Sequence, residues 1–170
     1  MFCYLARQVF QMLQPATLQD AAYFYSLYMH PAINPYLLYD PMPEKDFQPV
    51  FEDLIQKGVL YIFIADGIAA GMCKIIPHAY RNAHMMYLGG VAIHPDHGGK
   101  GYGYTMMQEI IQFARDKGLR RIELSTSVEN AVAIRLYERV GFAIEGRLRN
   151  YTWFKDEDRF LDEFIMSWIE

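Results

Sequence analysis

The stretch Val91-Ala92-Ile93-His94-Pro95-Asp96-His97-Gly98-Gly99-Lys100-Gly101-Tyr102-Gly103-Tyr104 decides the fold of this chain. It begins as an apolar strand, breaks at Pro95, places four glycines in the six residues from Gly98 to Gly103, and continues as an amphipathic helix. Without a Cβ, glycines let consecutive backbone N–H groups point into one concavity and let a ligand approach closely. The helix that follows adds the unpaired N–H groups of its first turn and the positive end of its dipole. Strand, glycine loop and helix start, in that order, predict a seat for a phosphate group.

Spacing excludes two other phosphate loops. A Walker loop needs Gly, four residues, then Gly-Lys-Ser/Thr, but Gly99-Lys100 is followed by Gly101 and position 94 is His. The dinucleotide fingerprint G-x-G-x-x-G also fails, ending on Met106 when counted from Gly101 and on Tyr104 when counted from Gly99.

With 170 residues, 52% hydrophobic and 21% charged, the chain reads as one soluble globular domain. A domain of this length buries roughly 70% of its unfolded surface and needs no disulfide or metal staple. A net charge of −4 argues against nucleic acid as a partner. Cys3 and Cys73 form no metal-binding spacing, and sparse cysteine fits a reducing cytoplasm. The opening residues MFCYLARQVF lack the basic segment and long apolar run of a signal peptide or membrane span, so no membrane partner is expected.

Outward from the glycine loop, the periodicities predict an ordered series of elements. Arg7 to Leu13 reads as a strand broken by Pro15, and Thr17 caps a helix over Leu18 to Tyr28. His30 to Pro43, with four prolines, is a loop too aromatic to be disordered. In Glu44 to Gln56, Phe47, Val50, Phe51, Leu54 and Ile55 share one helical face, which Gly58 ends. Leu60 to Ala65 and Ile68 to Ile76 form a hairpin about Asp66-Gly67. Ala83 to Ile93 is the next strand, with Gly89-Gly90 marking a bulge. Helix Gly101 to Lys117, strand Arg120 to Val128, helix Ala131 to Val140 capped by Asn130, and strands Phe142 to Trp153 and Arg159 to Ile169 complete the chain. The fold class is mixed α/β, with an antiparallel front half and a parallel crossover around the glycine loop.

This order and two motifs are similar to those of the GNAT superfamily of N-acetyltransferases. Gly101 and Gly103 fit its pyrophosphate loop, Gln/Arg-x-x-Gly-x-Gly/Ala at a helix start, with Gly98 where Gln or Arg is usual. Asn130-x-x-Ala133-x-x-Leu136-Tyr137-x-x-x-Gly141-Phe142 resembles the second signature. Gly141-Phe142-x-x-Glu145-Gly146, followed by Asp162-Glu163-x-x-Met166, resembles the branch of amino-acid N-acyltransferases, spermidine N-acetyltransferases and ribosomal-protein alanine N-acetyltransferases. The resemblance implies a sheet of about seven strands flanked by about four helices and splayed where acetyl-CoA binds. It further implies a binding site made of Val91, Ala92, Ile93, Gly98, Gly99, Lys100, Gly101, Tyr102, Gly103, Tyr104, Asn130 and Tyr137, with no metal. Tyr137 is the implied general acid for the departing thiolate, and Asn130 the implied contact of the pantetheine arm. Periodicity alone reads Tyr137 as a core residue and Asn130 as a helix cap.

These parts suit acetyl transfer to a primary amine by direct attack in a ternary complex. A tyrosine near pKa 10 protonates a thiolate whose thiol lies near 8.5 only where a dry pocket penalises the charged sulfur. The oxyanion would face a strand N–H at Val91 to Ile93, freed by the bulge. Deprotonating the amine at pH 7 costs about 4.6 kcal/mol for a lysine-like group and about 1 kcal/mol for an α-amine. Many GNAT enzymes carry a carboxylate on this strand, whereas Tyr87-Leu88-Gly89-Gly90 has none. His84, Glu123 or a water chain are the candidate substitutes, but a surface-facing His84 and a salt-bridged Glu123 are the plainer readings. No base is therefore assigned, and an amino acid or peptide N-terminus is favoured. Tyr36, Tyr39, His78, Tyr80, Trp153 and Phe154 are expected to line the acceptor side. A polyamine or aminoglycoside acceptor would call for inward carboxylates, for which Glu44, Asp46 and Glu52 are the candidates. An acetyl-CoA sensor without turnover stays open, as does the choice between monomer and homodimer.

Overall fold

Asp66 and Gly67, both at positive φ (52° and 78°), turn the chain between strands β2 (Leu60–Ala65) and β3 (Ile68–Pro77), which pair antiparallel from this tight hairpin outward. The computed structural model describes residues 12–170. They form one seven-stranded sheet and four α-helices, a mixed α/β architecture. The remaining strands are β1 (Met12–Pro15), β4 (Met85–Ile93), β5 (Arg121–Ser127), β6 (Ala143–Phe154) and β7 (Arg159–Ile169), in the spatial order β1-β2-β3-β4-β5-β7-β6. The helices are α1 (Ala21–Tyr28), α2 (Glu44–Gln56), α3 (Tyr102–Asp116) and α4 (Ala131–Arg139).

The first strand departs from expectation. Cys3 and most of the strand expected over residues 7–13 lie outside the described residues, and β1 runs through Pro15 instead of ending before it. At the sheet edge, paired only with β2, a proline's missing N–H costs no ladder bond. Thr17 does start the next helical segment, its N–H and hydroxyl both donating to the Asp20 carboxylate at 2.7 and 2.9 Å.

Alternation along the strands divides the core between the two faces of the sheet. On one face Met106, Met107, Ile110 and Ile111 of α3 pack with Phe63, Cys73, Leu88 and Ile122. On the other, Phe24, Leu27 and Tyr28 of α1 and Phe47, Phe51 and Leu54 of α2 cover Leu60, Ile62 and Met72. The bulge expected at Gly89-Gly90 is present: Lys74 pairs with Gly89 and Met72 with Ala92, so Gly90 and Val91 together oppose Cys73, with Gly90 at φ 57°. It switches the alternation of β4. Met86 and Leu88 face α3 before it, Val91 and Ile93 face α3 after it, and Ala92 turns to the α1–α2 side.

β4 and β5 are parallel but pair only from Met85 to Tyr87 and Arg121 to Glu123. Beyond that point the strands part, leaving Leu88–Ile93 and Leu124–Ser127 on either side of a gap through the sheet. One side-chain bond spans its closed end, between the hydroxyls of Tyr87 and Ser125 at 3.0 Å. No α-helix among the described residues is long and apolar enough to cross a membrane.

Candidate active site

The glycine loop follows β4 at the open end of the gap. Pro95–His97 make one 3-10 turn, and Gly99 and Gly101 then hold φ of 74° and 80°, left-handed values that a β-branched residue resists. Gly101 is the N-cap of α3, and this helix start carries no capping side chain and no acid in its first turn. Its leading N–H groups are therefore left for an outside anion, at the positive end of a 15-residue helix. Gly103 serves packing: a Cβ there would stand 3.3 Å from Leu136 of α4 and 3.8 Å from Ile93 of β4.

The side chains around this helix start have separate tasks. Tyr102 is buried and donates to the Asp66 carboxylate at 2.6 Å, tying α3 to the β2–β3 turn. The Lys100 ammonium lies 5.9 Å from the Tyr102 ring centre, and the Arg139 guanidinium 4.6 Å from that of Tyr104, so cations flank the loop. The rings of His94 and His97 lie tilted to each other beside it, 5.4 Å apart between centres. Of the three expected strand residues, Ala92 pairs with Met72. His94 donates its N–H to Ala70 of β3 at 2.9 Å, so backbone alternation turns the N–H groups of Ile93 and Val91 toward the gap.

Asn130 caps α4, its side-chain oxygen accepting from the Ala133 N–H at 3.2 Å. Two turns beyond Asn130, Tyr137 is 6% exposed and packs 5.9 Å from Phe142, ring centre to ring centre. Burial holds its phenol well above the ordinary tyrosine range, with Tyr87 and Cys73 adding to the effect. Such a phenol keeps its proton at neutral pH and can donate it.

The opposite face of the gap holds a cleft of about 50 Å³ bounded by Tyr28, Tyr39, Lys74, Tyr87, Gly89 and Glu163, among others. Lys74 is 9% exposed, and its ammonium lies 5.2 Å from the Tyr39 ring centre. Burial lowers its pKa. Glu163, also buried, accepts from the Thr152 hydroxyl at 2.8 Å. A wider cleft of about 640 Å³ adjoins it through Leu37, Leu38 and Tyr39, and takes in Trp153 and Phe154. Asn34 fixes the loop between the two clefts by donating to the carbonyls of Tyr28 (2.8 Å) and Tyr39 (2.9 Å).

Neither candidate base reaches the gap, and both take the plainer reading: His84 is exposed and bonded to the Arg81 carbonyl at 3.1 Å, and Glu123 is salt-bridged to Arg121 at 2.9 Å. Other sequence expectations fail here. Tyr36, Tyr39, Trp153 and Phe154 do line the clefts, but His78 and Tyr80 follow β3 on the hairpin away from them, with Tyr80 96% exposed. Glu44, Asp46 and Glu52 lie on the solvent side of α2. Sequence reasoning missed Lys74, Tyr87, Ser125 and Glu163. The one available signal was a charged residue within an otherwise apolar strand, which is how Lys74 reads in β3.

A family model described as "Acetyltransferase (GNAT) family" matches residues 19–142, which run from before α1 to the end of α4. The chain belongs to the GNAT acetyltransferase family. L-amino acid N-acetyltransferase AaaT of Escherichia coli K12 is 31% identical over 108 residues, covering 62% of this chain and 64% of that protein. Streptothricin acetyltransferase of Streptomyces lavendulae is 34% identical over 82 residues, covering 48% of this chain and 42% of that protein. The chain thus spans less than two thirds of the length of either relative. Among solved structures, spermidine N-acetyltransferase from Vibrio cholerae, in complex with CoA and spermine, superposes with a TM-score of 0.80 at 22% identity, covering 94% of this chain and 95% of that one. At that identity the likeness establishes the shared GNAT fold. No group of three or more His, Cys, Asp or Glu among the described residues is placed to hold a metal ion.

Proposed function

We propose that this GNAT chain transfers an acetyl group from acetyl-CoA to a primary amine, an amino acid or peptide N-terminus being favoured, by direct attack in a ternary complex. The observation that carries this reading is the gap between β4 and β5, with the uncapped start of α3 at its open end and the buried Tyr137 phenol on the same face. The loop from Gly98 to Tyr104 would hold the diphosphate, through the N–H groups of Gly99, Lys100 and Gly101 and the first turn of α3. Lys100 would add a flanking charge. Val91 and Ile93 would line the pantetheine arm, with Asn130 at the start of α4 beside it.

Acetyl-CoA, when bound, supplies an activated carbonyl whose C–S bond breaks as the amine nitrogen bonds to carbon. The chain's residues hold the charges that develop. The Val91 N–H, turned to the gap by the bulge, faces the carbonyl oxygen, and the Tyr137 hydroxyl hands its proton to the leaving sulfur. Its raised pKa does not oppose the transfer, because the dry setting that keeps the phenol neutral also disfavours a bare thiolate. The amine's own proton leaves toward the opposite face, where Glu163 is the buried carboxylate.

Release of free CoA thiol, measured over a panel of primary amines, tests the reading. Turnover with at least one amine, abolished when acetyl-CoA is replaced by CoA, is the expected result. If acetyl-CoA raises the melting temperature while no amine releases thiol, the chain is an acetyl-CoA sensor. With neither effect, the phosphate seat itself is refuted.

A further inference from the structure

The small cleft on the α1–α2 face contains a cation without a counter-ion. Lys74 projects from the middle of β3, nine-tenths buried, and no carboxylate among the described residues lies within ion-pair distance of it. Its environment acts on it through burial alone, with no compensating charge. The nearest aid is the face of Tyr39 at 5.2 Å. Buried charges in folded proteins are ordinarily paired, because an uncompensated one is costly. A second orphan lies beside it. The Tyr28 hydroxyl is fully buried with no hydrogen-bond partner, close to the bulge, where a Cβ on Gly90 would meet it at 3.3 Å and the Lys74 side chain at 3.5 Å. A buried hydroxyl without an acceptor and an ammonium without a carboxylate at ion-pair distance thus line one end of a cleft whose boundary also includes the carboxylate of Glu163.

We propose that this cleft takes the head group of a free α-amino acid, with the Lys74 ammonium and Tyr28 hydroxyl receiving its carboxylate and Glu163 facing its ammonium. The inference rests on the acetyltransferase reading above and narrows its acceptor. A cleft of about 50 Å³ has room for a few water-sized groups, which is the scale of a carboxylate and an amine on one carbon. The acceptor side chain then extends past Leu38 and Tyr39 into the wider cleft with Trp153 and Phe154. A peptide N-terminus brings an amide where the carboxylate belongs and leaves Lys74 unpaired. A polyamine brings a second cation toward it. Discrimination therefore comes from what the wrong acceptor leaves unsatisfied as much as from what the right one gains. The substrate carboxylate also favours the charged form of Lys74, which burial disfavours.

The experiment compares each of the common L-amino acids with its own α-amide and its decarboxylated amine. Thiol release is followed at saturating acetyl-CoA, and direct binding is followed by calorimetry in the presence of CoA. The best amino acid is expected to exceed its amide at least 30-fold in kcat/KM, mostly through KM, and to bind where the amide does not. Lys74→Met should collapse that ratio to within about threefold while acetyl-CoA still raises the melting temperature, which shows that the variant is folded. Lys74→Arg, which keeps the charge, should retain part of the preference. Amides or plain amines used as well as acids would overturn the proposal, as would a Lys74→Met variant that slows acid and amide equally. If no amine of any kind turns over, the acetyltransferase reading fails. Calorimetry still decides the head-group site in that case, since binding of the amino acid without its amide would sustain it and binding of neither would end it.

Discussion

The two faces of the sheet at the β4–β5 gap are built on opposite plans. On the α3–α4 face, each component is a short contiguous run: loop 98–101 into α3, and Asn130 into α4. Local rules set their conformation, through left-handed glycines, an open helix start and a side-chain cap. On the α1–α2 face, the cleft is assembled from Tyr28 of α1, Lys74 of β3, Tyr87 of β4 and Glu163 of β7, which come together only when the sheet is complete. The first plan suits a ligand part that is the same in every turnover, as the diphosphate and arm of the proposed donor would be. The second can be altered one residue at a time without touching the donor loop.

Breaking the contiguous side should have the largest effect. Gly101→Val places a β-branched residue at φ 80° and turns the leading N–H groups of α3. Acetyl-CoA affinity is expected to fall about 100-fold, as loss of one or two N–H bonds donated to a charged group implies, measured by calorimetry. The melting temperature without ligand should fall by several degrees, because a β-branched residue held at this φ costs about 1–3 kcal/mol even though no atom lies within 4 Å of its Cβ.

Tyr137→Phe should lower kcat about 100-fold with KM for acetyl-CoA within about twofold. Equal losses in both would reduce the ring to packing. Because burial raises the Tyr137 pKa, the pH profile of kcat should climb as the amine deprotonates and show no fall near pH 10, where an ordinary phenol ionises. A descending limb there would refute a buried acid.

Lys74→Met tests the dispersed side by stability. Removing an uncompensated buried cation should raise the melting temperature without ligand by about 2–4 °C, the shift that roughly 1 kcal/mol produces in a chain of this length. A lower melting temperature would mean that the ammonium has a partner.

The smallest effect belongs to neither face and serves as a control. Glu145 of β6 accepts from Arg121 at 2.8 Å and from Ser167 at 2.6 Å, and the guanidinium chiefly holds its pKa down at about 2. A depressed folded-state value contributes stability that is full above the unfolded carboxylate range and is lost as pH falls from about 4.5 toward 2. Glu145→Gln should therefore lower the melting temperature slightly at pH 7, by an amount that shrinks over that window, with activity unchanged throughout.

What the sequence disclosed follows the same division. Helix α2, the β2–β3 hairpin, the bulge, the cap at Asn130 and the limits of β7 are local, and periodicity with turn chemistry locates them to within a residue or two. The point at which β4 leaves β5 has no local signature, because it depends on how far two strands 36 positions apart stay in register, from Met85–Arg121 to Tyr87–Glu123. Glu163 reads in sequence as one acid in a charged strand. Only the insertion of β7 between β5 and β6 brings it to the cleft. His84 and Glu123 take the plainer of their two readings, an exposed ring bonded to the Arg81 carbonyl and a carboxylate salt-bridged to Arg121.

The Tyr87–Ser125 bond has a consequence of its own. Among the described residues, three residue pairs, the Arg120 N–H donating to the His84 carbonyl at 2.8 Å and that one hydroxyl contact join the β1–β4 half of the sheet to the β5–β7–β6 half along the seam. A seam stitched at one end works like a clothes-peg: slight rocking about Tyr87 widens the far opening many times more than the stitched end. In the proposed reaction, Tyr87→Phe, which removes the side-chain stitch, should therefore speed release of CoA before it disturbs the chemistry.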